Sequence, residues 1–294
     1  MTDTMIDRQL PKYDNIKPTP IKVSTMTATA ELSCTEINAE KLFESISIAN
    51  DKEDGFLYVE YGLKNSTTFY KGYHRKLSVT KRKRKETKRF DNQVTILLRL
   101  RSQSGMSTVN MKVFCNGKIQ MTGIKTITHG EHALSYLVEH IKTSSLDICK
   151  NQAELQSSGY DIRLINSDFS VNFKIKREVL DRIMRTEYQT YCSFESCTYP
   201  GVKIQYNYNE AFNNNVSGLC TCTQRCNGKG IGFGDGQCKK VTIAVFQSGC
   251  IIITGARSHN QIQAAYNYIC SVIDRHYTLI HKIPVESNKL LSTM

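Results

Sequence analysis

Four cysteines crowd one glycine-rich stretch: Cys220, Cys222, Cys226 and Cys238, spaced C-x-C-x3-C-x11-C, among glycines at 228, 230, 232, 234 and 236. Four thiolates in one short loop match the ligand number of a structural Zn²⁺ site, although the spacing is not that of the common C-x2-C pairs. A glycine-rich hairpin tip with free thiols would use the same residues, so both readings stand. The run NGKGIGFGDG lacks the G-x4-G-K-S/T spacing and the following helix of a phosphate-binding loop. Elsewhere there are no clustered carboxylates, no nucleophile–base motif, and no ligand pattern among the seven histidines. An enzyme is therefore not expected, and no cofactor is required.

A second set of residues suits binding rather than bond-breaking. Arg99 and Arg101 alternate with Leu98 and Leu100 in VTILLRLR. Thr25, Thr27 and Thr29 alternate with Met26, Ala28 and Ala30, which puts the hydroxyls on one face of a strand. Lys81–Arg89 reads KRKRKETKR, either a solvated charge run, a phosphate-contacting arm or a nuclear-import signal. The net charge of +12 and pI near 9.1 favour an acidic partner, nucleic acid first and an anionic membrane surface second. The 11 cysteines are odd in number and scattered, which favours a reducing compartment. No apolar run approaches a membrane span and no signal-peptide core opens the chain, so no membrane partner is expected.

The elements that must position these groups are written twice. Val241–Phe246 is β-rich, Gln247-Ser248-Gly249 supplies a turn, Cys250–Thr254 is a second β-branched run, and Gly255 ends it. Ser258 and Gln261 then form a capping signal ahead of Ile262, Ala265, Tyr266, Ile269, Val272 and Ile273 at helical spacing. Val113–Ile141 aligns with Val245–Ile273 without a gap. Phe114 falls on Phe246, Gly117 on Gly249, Thr122-Gly123 on Thr254-Gly255, and Leu137 on Ile269. Thr128 and Glu131 offer the first copy its own capping box, and Thr35–Ile48 and Phe173–Ile183 read as two further helices. A match through strand, turn, strand and helix indicates an internal duplication.

The pattern F-x-S/N-G, three apolar residues, T-G and a basic residue before an amphipathic helix resembles the TATA-box-binding protein family, in which it also occurs twice. Tyr199-Pro200-Gly201 upstream strengthens the likeness of the second copy. The resemblance covers most of residues 20–275 and implies an α+β saddle: two pseudo-symmetric repeats forming one curved antiparallel sheet, with helices on the convex face. It implies a flexible arm at 1–18 and a first repeat at 19–150 with a basic insertion at about 64–92. A second repeat at 151–280 carries the Cys/Gly insertion at about 207–240, and a tail follows at 281–294.

By the same resemblance the concave face meets the minor groove of A·T-rich double-stranded DNA. Thr25, Thr27, Thr122, Ile252 and Thr254 become groove contacts, Asn166 a reader of base edges, and Arg99 and Arg101 phosphate contacts. Phe114, Phe246 and Tyr199 become wedges of the kind that unstack base steps and bend the duplex in TATA-binding proteins. Gln93 stands where a fourth wedge is expected, with Phe90 three residues earlier as a substitute. Asp168 and Gln205 also depart from the family pattern. Glu195 retains an acidic position that recruits the B-type initiation factor, whereas Cys197 replaces another. Polymerase or that factor is the implied protein partner. Two long insertions resemble the divergent homologues of large DNA viruses, which implies an intracellular protein of the host nucleus or a cytoplasmic viral factory, or one packaged in the virion. An interaction module binding transcription proteins, or DNA without sequence preference, is the alternative.

Overall fold

The alternating runs become strands and the 3.6-period runs become helices in both halves of the chain. A computed structural model describes residues 13–50, 53–62, 68–72, 92–102, 105–212 and 218–283. They divide into two units, Ser24–Ile165 and Asn166 onward, the latter joined by the N-terminal residues up to Val23.

The first unit contains β1 (Lys22–Leu32), α1 (Ala39–Ser45), β2 (Gly55–Gly62), β3 (Thr68–Gly72), β4 (Gln93–Ser102), β5 (Gly105–Phe114), β6 (Lys118–Ile124) and α2 (Ile127–Thr143). Its strands lie in the order β3-β2-β4-β5-β6-β1, antiparallel at each pair. Val109, Met111, Val113, Ile119 and Met121 are buried on the face that carries α2, whose Ala133, Leu134, Leu137 and Ile141 are buried in turn. Each such large apolar side chain contributes about 1.5–3 kcal/mol on leaving water.

The second unit repeats the plan. It holds β7 (Ser157–Ser170), which opens in the first unit, then α3 (Arg177–Thr186), β8 (Cys192–Glu195), β9 (Tyr199–Tyr208), β10 (Lys239–Val245), β11 (Cys250–Ala256), α4 (His259–Arg275) and the short α5 (Tyr277–Ile280). The strand order is β7-β11-β10-β9-β8, with β11, β10, β9 and β8 antiparallel. Helix α4 covers β9, β10 and β11, burying Ile262, Ala265, Tyr266, Ile269, Val272 and Ile273. The architecture is thus α+β, with an antiparallel sheet covered on one face by helices in each repeat.

The duplication is exact enough to reproduce single backbone bonds. Gly117 O accepts from Leu32 N at 2.9 Å, and Gly249 O from Val171 N at 3.1 Å. Cys115 O accepts from Ile37 N at 2.8 Å, and Gln247 O from Ile175 N at 2.9 Å. Ile148 O accepts from Asn38 N at 2.9 Å, and Ile280 O from Lys176 N at 2.7 Å. These bonds also shorten two expected helices. Ile37–Asn38 and Ile175–Lys176 are tied down by them, with Asn38 and Lys176 extended, so α1 begins at Ala39, capped by Asn38, rather than at Thr35, and α3 begins at Arg177 rather than Phe173. Helix α2 is capped by Thr126, which accepts from His129 N at 3.1 Å, in place of Thr128.

The arm expected over 1–18 is described from Tyr13, and there it is fastened to the second unit. Asp274 near the end of α4 accepts from Asn15 N at 2.7 Å, Ile16 N at 3.2 Å and Asp14 N at 3.3 Å. Ile16 is buried and Tyr266 Oη donates to Thr19 O at 3.2 Å. At the other end, Lys282 N donates to Lys174 O at 2.7 Å. The basic run Lys81–Arg89 and Phe90 lie outside the described residues.

The turn glycines of the two hairpins show why the repeat is kept. Gly117 (φ +80°) and Gly249 (φ +85°) are left-handed, and a Cβ on them would lie 2.1 Å from Cys34 O and 2.3 Å from Phe173 O. Backbone strain and a backbone clash therefore act together. Gly249→Ala is expected to lower the unfolding free energy by about 2 kcal/mol or more. Gly159→Asn, at φ +62° with open space around it, is expected to cost less than about 1 kcal/mol. Urea denaturation of the two variants side by side checks this.

Candidate nucleic-acid interface

With one sheet face buried under helices, the opposite face carries the residues of interest. In the first unit Thr27 pairs with Thr122, Thr122 with Asn110, and Asn110 with Leu97. The next row is Thr29, Gln120, Lys112 and Thr95. Thr25, Thr27 and Thr29 are half-buried while Met26, Ala28 and Ala30 are buried, so the expected alternation is present. Thr122 is exposed. In the second unit Thr254 pairs with Thr242 and Thr242 with Gln205, and beside them Ile252 pairs with Ala244 and Ala244 with Lys203. Asn166 Oδ1 accepts from Thr254 Oγ1, which joins two of the expected site residues directly. Both are half-buried, as is Ile252. Asn110 and Thr242, which occupy matching rows, were not singled out from sequence; extending the repeat alignment three residues upstream would have found them.

The hairpin tips present the aromatic rings. Phe114 and Phe246 are half-buried, each just ahead of its turn. Phe246 lies against Tyr199, with ring centroids 5.7 Å apart. Gly201 makes room for this pair: a Cβ there would lie 2.8 Å from Tyr199 Cε1 and 3.1 Å from Phe246 Cε1. Lys203 Nζ sits 4.1 Å over the Tyr199 ring, a cation–π contact. Arg177, at the start of α3, braces the tip by donating to Pro200 O and, at 3.2 Å, to Gln247 Oε1. In the first unit Gln93, in place of an aromatic, faces Phe114 across the ladder and donates to Thr95 Oγ1 at 3.3 Å. Gly201, Lys203 and Arg177 were not anticipated. The adjacency of Tyr-Pro-Gly in sequence was the available signal for the first.

The two arginines of β4 have different surroundings. Arg99 Nε donates to Glu53 O at 2.9 Å, and Nη2 donates to Glu53 O at 2.7 Å and to Asn50 O. Its guanidinium thereby holds the α1–β2 connection. Arg101 is exposed, and its backbone N–H donates to Asp54 Oδ1 at 2.8 Å. Glu195, the last residue of β8, and Cys197, in the turn to β9, are exposed.

The four cysteines come together in the second unit. Their Sγ atoms all lie within 4.8 Å of one another and form a group able to hold a metal ion. Cys238 Sγ lies 3.3 Å from Cys222 Sγ and 3.6 Å from Cys220 Sγ, and all four are free thiols. A tetrahedral tetrathiolate with metal–sulfur bonds near 2.3 Å has sulfurs about 3.8 Å apart, so the cluster fits that geometry. Asn209 Nδ2 points at Cys238 Sγ at 3.5 Å and Cys222 Sγ at 3.8 Å. Burial works to raise the Cys226 thiol pKa, but hydrogen bonds from the Gly228 and Cys238 backbone N–H groups outweigh it and the thiol titrates below its ordinary value. Burial dominates at Cys238 and pushes its thiol up. Among the described residues no helix is long and apolar enough to cross a membrane.

Three comparisons bear on this arrangement. The family model described as transcription factor TFIID (or TATA-binding protein, TBP) matches residues 161–276. A TATA-box-binding protein-like protein of Acanthamoeba polyphaga mimivirus is 31% identical over 278 residues, covering 91% of this chain and 69% of that protein. The solved structure of Methanococcus jannaschii TBP aligns with a TM-score of 0.47 at 16% identity, covering 87% of this chain and 99% of that one.

The contrast between the β4 arginines is measurable. Arg99→Ala, which strips charge-assisted bonds from a connection near solvent, is expected to destabilise the protein by about 1–2 kcal/mol. Arg101→Ala, with an exposed side chain, is expected to stay within about 0.5 kcal/mol of the parent. Urea midpoints of the two variants decide the matter.

Proposed function

Because the chain belongs to the family of TATA-box-binding protein-like proteins, we propose that it is a transcription initiation factor that binds the minor groove of A·T-rich promoter DNA and bends it. The reading is of a binding protein, not a catalyst. The observation that carries it is the matched pair of half-buried phenylalanines, Phe114 and Phe246, each at a hairpin tip two rows along the ladder from the matching Thr122–Asn110 and Thr254–Thr242 pairs. Thr27, Thr122, Asn166, Ile252 and Thr254 supply short polar and apolar contacts to a groove that offers acceptors and width rather than a full base code. Thr25 extends the row along β1. Phe114, Phe246 and Tyr199 enter base steps, unstack them and bend the duplex; flexible pyrimidine–purine steps lower that cost and give sequence preference. Arg101 and the cations around the sheet neutralise phosphates, and Arg99 contributes once released from its carbonyl partners.

Recruitment of polymerase or a B-type initiation factor completes the proposal, with the exposed Glu195 at the end of β8 as the acidic contact. The site of action is intracellular, in the host nucleus or a cytoplasmic viral factory. The four-cysteine cluster takes zinc as a structural ion, because soft thiolates in a reducing compartment select it and no open coordination position is needed.

A second reading is supported by particular residues. Gln93 in place of a wedge, Gln205 in the Thr254–Thr242 row, and a carboxylate at Asp168 weaken a sequence-reading DNA face. They favour a module that binds transcription proteins, or DNA without preference.

Gel-shift and fluorescence-resonance bending assays on A·T-rich and G·C-rich duplexes separate the two. Preferred, bent binding of the A·T-rich duplex is expected; equal weak binding to both sinks the first reading. Phe114→Ala with Phe246→Ala is expected to remove most of the bend while affinity falls by no more than about tenfold, since the unstacking cost disappears along with the wedge contacts.

A further inference from the structure

The insertion between β9 and β10 reaches both faces of the strands it joins. Gly218 lies against the Tyr206 ring and Gly232 against the Tyr208 ring, both on the helix-covered face, where Gln261 Nε2 of α4 also donates to Ile231 O at 3.1 Å. Gly228 lies on the other side. A Cβ on it would stand 2.8 Å from Lys240 Cβ and 3.7 Å from Asn207 Oδ1, and both of those residues share the face of Thr242 and Gln205. Backbone bonds fix this crossing: Lys240 N to Gly228 O at 2.8 Å, Gly230 N to Cys238 O at 3.0 Å, and a bridge between Lys229 and Lys239. The cysteines bracket the crossing, Cys226 just before Gly228 and Cys238 just before Lys239.

The crossing gathers positive charge. Arg225, Lys229 and Lys240 are exposed. Lys239, next to Cys238, is half-buried and pairs with Tyr208, so its side chain lies on the helix-covered face. Arg257 Nε is buried without a hydrogen-bond partner. The nearby acid does not answer these charges: Asp235 accepts from Thr223 N at 2.8 Å, from Gln224 N at 3.3 Å and from Thr223 Oγ1. Among the described residues none of these lysines and arginines enters an ion pair.

We infer that the β9–β10 insertion is a metal-dependent phosphate-binding arm, in which zinc on Cys220, Cys222, Cys226 and Cys238 fixes the crossing so that Gly228 seats Lys240, on the face of Thr242 and Gln205, against the backbone of duplex DNA. The inference rests on the DNA-binding reading above. Few apolar side chains hold this glycine-rich segment, so metal binding supplies its order, as in small zinc modules generally.

The test has a metal arm and a DNA arm. Protein purified under reducing conditions is expected to carry one equivalent of zinc by elemental analysis. Cobalt substitution is expected to give the thiolate charge-transfer absorption of a tetrahedral tetrathiolate, lost in C226S and C238S. Zinc absent, or iron in its place, overturns the assignment. In the DNA arm, the slope of log K against log salt for an A·T-rich duplex is measured for the zinc-loaded protein, for the zinc-loaded variant K240A, and after chelation. Loss of one phosphate contact lowers the slope by about 0.9, and chelation is expected to lower it at least as far. Unchanged slopes in a protein that binds duplex overturn the arm alone. Failure of the zinc-loaded protein to bind duplex at all overturns both the arm and the DNA-binding reading, while the metal result stands.

Discussion

Side chains along a strand point alternately to the two faces of its sheet, and this constraint assigns nearly every residue discussed above. Once α2 and α4 cover one face, Met121, Ile251 and Ile253 have no choice but to be core. Their neighbours Thr122, Ile252 and Thr254 are left on the other face. The helices are thus the indirect authors of the interface: a shift of one residue in β6 or β11 would bury the threonines and expose the isoleucines. The turn glycines, Gly117 and Gly249, guard that register. Each packs its backbone against the segment that follows the first strand of its own half, and a side chain would push the hairpin off its rail.

The two halves have kept this scaffold and diverged at the groups that touch a partner. The backbone bonds of Gly117 and Gly249, Cys115 and Gln247, and Ile148 and Ile280 correspond one for one. The ring pairs do not. Tyr199 and Phe246 form a packed couple seated on Gly201, with Lys203 above and Arg177 behind, whereas Phe114 faces the polar Gln93. Each half also gained its own insertion: the first carries β3 and a basic run, the second carries the cysteine cluster. Duplicated folds tolerate this because surface loops cost little to lengthen, while a change in the ladder costs the whole sheet.

How much of this was legible in the sequence follows from the range of the forces involved. Period-two and period-3.6 patterns are local, so the hairpin–helix units could be read directly, and the family resemblance they carry implied the α+β class. The four cysteines are close in sequence, and their gathering needed only a loop that closes. What escaped notice depends on distant partners. Asn38 caps α1 because Ile37 and Asn38 spend their N–H groups on Cys115 and Ile148. Arg99 turns to carbonyls of a loop some fifty residues upstream, which no pattern in VTILLRLR announces. The role of Gly201 as a seat for two rings appears only when β9 is laid beside the β10–β11 turn.

The anchoring of Asn15 and Ile16 on Asp274 ties the beginning of the chain to nearly its end. A ribosome releases these partners far apart in time. The early segment must wait, unpaired, until α4 has cleared the exit tunnel, although the first half already has its own hairpin and helix to fold around. Assembly is therefore ordered: the Ser24–Ile165 body matures first, and the other body closes late, over a long entropic loop. Any nascent chain halted before residue 274 lacks the carboxylate that fastens Asp14, Asn15 and Ile16.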